Sequence, residues 1–158
     1  MTQIQDWGPH IWKILHYHAE YAGSSVLLTD EIRAWNSLLR HTEGVLACAV
    51  CREHYRAWRS THPVEEFIGR DKDTFHTLLR RWLWDLHESV NDTKEVPADR
   101  RLPFEQLATY KETSRQEILQ SISTLKDILQ KASLHRQVNP IYVAEWLRAL
   151  KFLQKLMF

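Results

Sequence analysis

The sequence predicts an all-α protein. Apolar residues recur at helical spacing along most of the chain, and no segment shows the strict alternation of apolar and polar residues that indicates a strand. The 158 residues include only 4 glycines and 5 prolines, so long segments can run without a helix breaker. A hydrophobic content of 44% is sufficient for a buried core.

Two helices are predicted in the first 46 residues. Asp6 is a suitable N-cap for the first, with Pro9 in its first turn, and this helix is expected to end near Gly23. The second is expected to open at Thr29 or Asp30. Both carry an apolar face at helical spacing, so both are expected to pack on a common core.

Two more core helices follow. The third is predicted to begin near Cys48 and to end before Pro63, because a residue that precedes proline disfavours helix. After a short segment at 64–68, the fourth starts near Asp73. Its apolar stripe is the longest in the chain and consists of Phe75, Leu78, Leu79, Trp82, Leu86 and Val90.

The remaining chain is predicted to form a loop, a short fifth helix and two C-terminal helices. The loop covers 92–103, and the fifth helix covers 103–111. Ser114 and Glu117 form a capping-box pattern, and Asn139 before a proline is a second helix start. We therefore divide the chain into a domain at 1–113 and a C-terminal helical hairpin at 114–158.

Composition argues against several classes of protein. Charged residues make up 26% of the chain and nearly balance, with a net charge of +1, so no basic field for nucleic acid is expected. No apolar run approaches the roughly 18 residues that indicate a membrane span. The first six residues lack the basic and apolar regions of a secretory signal.

The only two cysteines are Cys48 and Cys51, three positions apart at the start of the third helix. In that position they would share one face, and the helix N-terminus would stabilise a thiolate, with Arg52 adding positive charge. A thiolate is the nucleophile in thiol–disulfide exchange, so this spacing favours a redox site.

Other interpretations of the pair remain open from spacing alone. Two cysteines can be inert core residues. His54 extends the motif toward a zinc site, but zinc usually needs four ligands in two spaced pairs, and no familiar second pair is present. A thioredoxin-like motif would accompany a βαβ unit, which this chain lacks.

The motifs around the cysteines resemble those of a known family. The first helix reads Trp-Gly-Pro-His-Ile-Trp-Lys-Ile-Leu-His from Trp7 to His16, and the fourth ends Leu-His-Glu-Ser-Val-Asn at Asn91. With the Cys-x-x-Cys pair between them, these motifs resemble the Erv/ALR family of FAD-linked sulfhydryl oxidases. The sequence is most similar to the short forms encoded by large DNA viruses.

The resemblance implies a four-helix bundle with a short fifth helix, FAD as cofactor, and a homodimer packed through the first two helices. It implies protein dithiols or a thiol relay protein as substrates, O2 as acceptor, and a location in the host cytoplasm (viral factory) or the virion. By position, the FAD contacts it implies are Gly8, Trp12, His16, His87, Val90 and Asn91, with Lys94, Arg100 and Arg101 near the pyrophosphate.

The sequence departs from the family pattern at three points. Glu88 replaces an asparagine, Leu46 and Ala47 replace an aromatic residue and a proline, and the second cysteine pair is absent. The hypothesis is an oxidase in which Cys48 exchanges with substrate and Cys51 passes electrons to FAD. The alternative is a helical scaffold protein with a vestigial cysteine pair.

Overall fold

The computed structural model describes residues 1–158, and its only regular secondary structure is helical, which confirms the all-α prediction. There are six α-helices and four short 3₁₀ segments. The α-helices are α1 (Ile4–Glu20), α2 (Leu28–His41), α3 (Ala49–Thr61), α4 (Lys72–Thr93), α5 (Arg115–Leu134) and α6 (Pro140–Met157). The 3₁₀ segments are Thr42–Val45, Val64–Phe67, Ala98–Arg100 and Phe104–Glu112.

The first helix starts earlier than predicted. Gln3 is the N-cap residue, and the Asp6 carboxylate accepts a hydrogen bond from the Gln3 backbone N–H over 2.7 Å. Asp6 is thus the third residue of the helix rather than its cap, because a carboxylate one turn inside can satisfy the free N–H at the start. Pro9 consequently lies inside α1, beyond its first turn.

The other helix starts agree more closely with the sequence. Each of the caps of α3, α4, α5 and α6 uses its side chain to accept a backbone N–H of the first turn. The fourth helix, predicted to start near Asp73, begins one residue earlier at Lys72 and is capped by Asp71. The predicted fifth helix forms as a 3₁₀ segment. The four capping residues are Cys48, Asp71, Ser114 and Asn139.

The C-terminal helices share the core of the bundle. α5 packs mainly against α1, and α6 packs mainly against α2, with fewer contacts between α5 and α6 themselves. Trp146 of α6 is fully buried, and its Nε1–H donates to Thr42 Oγ1 over 3.1 Å. Leu125, Leu129 and Leu150 belong to the same cluster of buried residues as the bundle helices. The hairpin at 114–158 is therefore wrapped over the bundle instead of being closed on itself.

This packing bears on assembly. The faces of α1 and α2 that contact α5 and α6 are occupied within one chain, so a homodimer would have to use other surfaces of those helices. Gly44 shows how closely α6 approaches the segment after α2, because a Cβ atom added there would lie 2.7 Å from the Cβ of Tyr142 on α6.

None of the helices combines the length and the apolar character needed to cross a membrane.

Candidate active site

The cysteine pair lies where α3 begins. Cys48 is the N-cap residue, and its Sγ accepts a hydrogen bond from the Cys51 backbone N–H over 3.2 Å. Both cysteines are free and half-buried. They lie one helical turn apart at the end of one helix, as their spacing predicts, so exchange at one thiol can be followed by attack of the other.

The electrostatics of the pair differ from the expectation. Burial raises the pKa of the Cys51 thiol to about 12, Cys48 acts in the same direction through its hydrogen bond and charge, and Lys94 opposes them. The prediction of a thiolate stabilised by Arg52 is wrong for Cys51, because the Arg52 guanidinium donates to two backbone carbonyls instead. Lys94 is the cation that favours a Cys51 thiolate.

A largely apolar cavity of about 270 Å³ adjoins both cysteines; we call it the cysteine cavity. Its walls come from α1, α3, α4 and the segment before Cys48. Aromatic and aliphatic side chains dominate them, so the cavity suits a flat ring system. The predicted site residues that line it are Gly8, Trp12, Cys48, Cys51, Val90 and Lys94.

A second, smaller cavity of about 140 Å³ lies on the other side of α4; we call it the arginine cavity. It is more polar, with cationic and amide groups in its lining, so it suits an anionic group such as a phosphate. The predicted residues His16, His87 and Asn91 line this cavity and not the first. Its other lining residues include Trp84, Glu88, Arg100, Arg101 and Tyr110.

A stack of four rings connects the two cavities. The rings of Trp12 and His87 lie parallel, with centroids 3.9 Å apart and an interplanar angle of 8°. His87 meets His16, and His16 stacks in turn on Tyr110 with centroids 4.7 Å apart. The stack joins α1, α4 and the last 3₁₀ segment, so it fixes their relative positions at the site.

The two histidines of this stack are neutral. Burial, followed by the proximity of His87, lowers the pKa of His16 to about 3. Burial, followed by the charge of Lys94, lowers the pKa of His87 to about 4. Neutral imidazoles present flat faces without a charge, which suits contact with an aromatic cofactor.

The three cations expected near a pyrophosphate are separated by the structure. Lys94 lines the cysteine cavity, whereas Arg100 and Arg101 line the other. Arg101 already forms ion pairs with Glu88 at 3.2 Å and with Asp92 at 2.5 Å. Glu88, which replaces the family's asparagine, thus faces an arginine rather than the cysteines.

Three further residues at the site were missed or read differently from the sequence. His54 lines the cysteine cavity, and its Nε2 lies 3.0 Å from Ser89 Oγ, not beside a metal site. No group of three or more His, Cys, Asp or Glu side chains is placed to hold a metal ion. Trp7 opens the motif of the first helix, but no contact was predicted for it. Tyr110 carries no distinguishing signal, since aromatic residues are usual in the core of a helical protein.

The residues present fit an FAD molecule. The buried Nε1–H of Trp7, which lines the cysteine cavity, has no hydrogen-bond acceptor within the protein, so a ligand with ring acceptors would satisfy it. The apolar cavity beside the cysteines suits a flavin ring, and the arginine cavity suits the phosphates.

Comparison with family models identifies the family of this chain. The model of the Erv1/Alr family matches residues 9–109. This range includes both cysteines, three of the four stacked rings (all but Tyr110), and the cations Lys94, Arg100 and Arg101. No curated protein and no solved structure matches the chain. The family generally comprises FAD-linked sulfhydryl oxidases. The match covers more than half of the 158 residues, and the chain belongs to the Erv1/Alr family.

Proposed function

We propose that the protein is an FAD-dependent thiol oxidase that forms disulfide bonds in protein substrates. One observation carries the proposal. The Cys48–Cys51 pair lines the same apolar cavity as Trp12, and the ring stack that starts at Trp12 leads to the arginine cavity. The proposed redox pair thus lies beside the cavity proposed for FAD, in a chain that belongs to the Erv1/Alr family.

The substrate reaction takes place at the cysteines. A substrate thiolate attacks Sγ of Cys48 in the disulfide form of the enzyme, and Cys51 leaves as a thiolate. A second substrate thiol then displaces Cys48, and the substrate is released as a disulfide. The enzyme now holds two electrons as the Cys48–Cys51 dithiol. Lys94 stabilises the Cys51 thiolate at the point where it leaves.

The two cavities supply the cofactor site. Gly8, Trp12 and Val90 would hold the ring system, while His16, His87, Asn91 and the two arginines would hold the remainder. The chemistry supplied by bound FAD is two-electron acceptance from the dithiol and transfer to O2, which yields hydrogen peroxide. The protein contributes position, an apolar environment and the charge of Lys94.

Further parts of the proposal follow the family resemblance. The substrates would be protein dithiols or a thiol relay protein, residues 1–113 would carry the redox chemistry, and residues 114–158 would form a structural extension. A viral origin would place the protein in the host cytoplasm or the virion. A homodimer, if formed, would use surfaces that α5 and α6 leave free.

The test is an absorbance spectrum of the purified protein together with dithiothreitol-dependent O2 consumption. The spectrum is expected to show bound flavin. The amount of hydrogen peroxide formed is expected to equal the amount of O2 consumed. A colourless protein that consumes no O2, even after incubation with FAD, would support the alternative of a helical scaffold with a vestigial cysteine pair.

A further inference from the structure

Three segments that are distant in sequence meet beside the cysteine pair. They are the N-terminal segment (residues 1–3), the cysteine loop (residues 46–48) and the α5–α6 turn (residues 135–139). Hydrogen bonds connect all three, and Arg52 provides the bonds that reach the cysteine loop.

Arg52 follows Cys51 directly in α3 and is half-buried. Its Nη1 donates to the Leu46 carbonyl over 2.6 Å and to the Gln137 carbonyl over 3.2 Å. Leu46 lies two residues before Cys48, so the first bond fixes the backbone that brings Cys48 to the N-cap. Hydrogen bonds from a charged donor are stronger than neutral ones, and the planar guanidinium holds both acceptors in a fixed geometry.

The Gln137 carbonyl is itself held in place. The Gln137 side chain accepts the N–H of Thr2 over 3.0 Å and its hydroxyl over 3.1 Å, and donates to the Thr2 carbonyl over 3.0 Å. Arg136 turns the chain with a φ of 57°, and the next residue but one, Val138, is buried in the core. The turn is therefore anchored on both sides of the carbonyl that Arg52 contacts.

We propose that Arg52 and the α5–α6 turn position the cysteine loop, so that the C-terminal extension supports the redox site directly. Arg52 is a positioning residue in this arrangement, and the chemistry stays with the cysteines. The proposal rests on the proposed function only in treating Cys48 and Cys51 as the redox pair. A loop held in this way keeps the two thiols together, which favours closure of their disulfide.

The experiment measures the thiol–disulfide equilibrium of the full-length protein with reduced and oxidised glutathione, without O2. Arg52→Met is expected to lower the equilibrium constant for disulfide formation about tenfold, which raises the reduction potential of the pair by about 30 mV. Arg52→Lys keeps the charge but lacks the planar guanidinium, so its equilibrium constant should lie between those of the unsubstituted protein and Arg52→Met. Gln137→Ala should lower the constant about threefold, because it loosens the carbonyl that Arg52 contacts.

A matched control is Arg56→Met. Arg56 lies one turn further along α3, is 64% exposed and pairs with Glu43, and its removal should leave the constant unchanged. The double variant Arg52→Met with Gln137→Ala should show less than the product of the two effects, because both act through one contact.

The equilibrium constants of the variants decide between the two parts of the proposal. An unchanged constant for Arg52→Met, or an equal change for Arg56→Met, would overturn the positioning role. If Arg52→Met and Gln137→Ala change the equilibrium constant independently, or if Gln137→Ala does not change it, the α5–α6 turn does not position the cysteine loop. If Arg52→Met fails to fold, hydrogen exchange of residues 44–48 in Gln137→Ala decides, since unchanged exchange contradicts the proposal. None of these measurements requires FAD or oxidase activity, so failure of the proposed function is seen separately.

Discussion

The Nε2 of His16 and the Nδ1 of His87 lie 3.1 Å apart, although they come from two different helices. At that distance one nitrogen must donate and the other accept, because two lone pairs or two N–H groups would repel each other. The bond is therefore lost when both rings are protonated, and burial disfavours the charged form of each ring, which lowers the pKa of both.

Stability is expected to fall as the pH drops below 6.5. The pKa of His16 is lowered to about 3, and that of His18, buried beside Gln154, to about 4. The unfolded chain binds these protons near pH 6.5 and the folded protein does not, so the stability present above pH 6.5 is progressively lost toward pH 4. Each histidine contributes about 1.4 kcal/mol per pH unit in that window.

Urea unfolding at pH 7, 6 and 5 measures this slope. His18→Gln should reduce the change in unfolding free energy by about 1.4 kcal/mol per pH unit, the contribution of one histidine, whatever its effect on stability at pH 7. Equal slopes in the two proteins would show that His18 is not kept neutral by the fold.

Both cysteines are expected to be essential for turnover. Cys48→Ser and Cys51→Ser should each abolish dithiothreitol oxidation, measured as O2 consumption, because exchange and closure need two thiols. FAD content should stay near that of the unsubstituted protein, since other side chains line most of both cavities. Normal turnover by either variant would disprove the assigned redox pair.

The ring stack is expected to couple cofactor content to stability. Trp12→Ala and His87→Ala should each lower both the FAD stoichiometry and the Tm, because a ligand that binds only the folded state stabilises it. Trp58 offers a matched control, since it stacks on His62 with centroids 3.8 Å apart but lines neither cavity. Trp58→Ala should lower the Tm of the FAD-free protein without changing FAD stoichiometry. Full FAD content in both site variants would mean that the site is elsewhere.

Lys94 is expected to act on Cys51 rather than on a phosphate. In a Cys48→Ser background, Lys94→Met should raise the pKa of Cys51, so the rate of its alkylation by iodoacetamide should rise at higher pH than before. Lys94→Arg keeps the charge and should largely preserve the pH dependence of the alkylation rate. Lys126→Met, on the exposed side of α5, is the control and should leave that pH dependence unchanged. A loss of FAD with an unchanged alkylation profile would instead support the phosphate role.

The packing of α6 on the bundle predicts a contrast between two apolar residues of that helix. Leu150 is 1% exposed and Phe152 is 53% exposed. Leu150→Ala should cost about 2–5 kcal/mol of unfolding free energy, whereas Phe152→Ala should cost about 0.5 kcal/mol or less. Thermal or urea unfolding gives both values. A small effect of Leu150→Ala would show that α6 is only loosely attached.

Local features of this protein could be predicted from the sequence because they depend on neighbouring residues. The caps at Ser114 and Asn139, the start of α3 at Cys48 and the stripe of α4 all follow from spacing within one or two turns. The cap of α1 was missed because glutamine is not a typical N-cap residue, and Asp6 acts from inside the helix.

Long-range features could not be predicted in this way. The division of the site residues between two cavities depends on how α1 and α4 cross. It separates Lys94 from Arg101, although the two are only seven positions apart in the sequence. The engagement of Arg52 with Gln137 depends on a turn 85 residues away. The raised pKa of Cys51 results from burial, which a helix-terminus argument does not include.

The closed contact between the Trp12 and His87 rings has a kinetic consequence. A molecule as long as FAD would have to pass from one cavity to the other across rings whose centroids are 3.9 Å apart. Once α1 and α4 are packed, passage of a ligand between the rings would require them to separate, so a ligand that occupied both cavities would exchange only as fast as that opening allows.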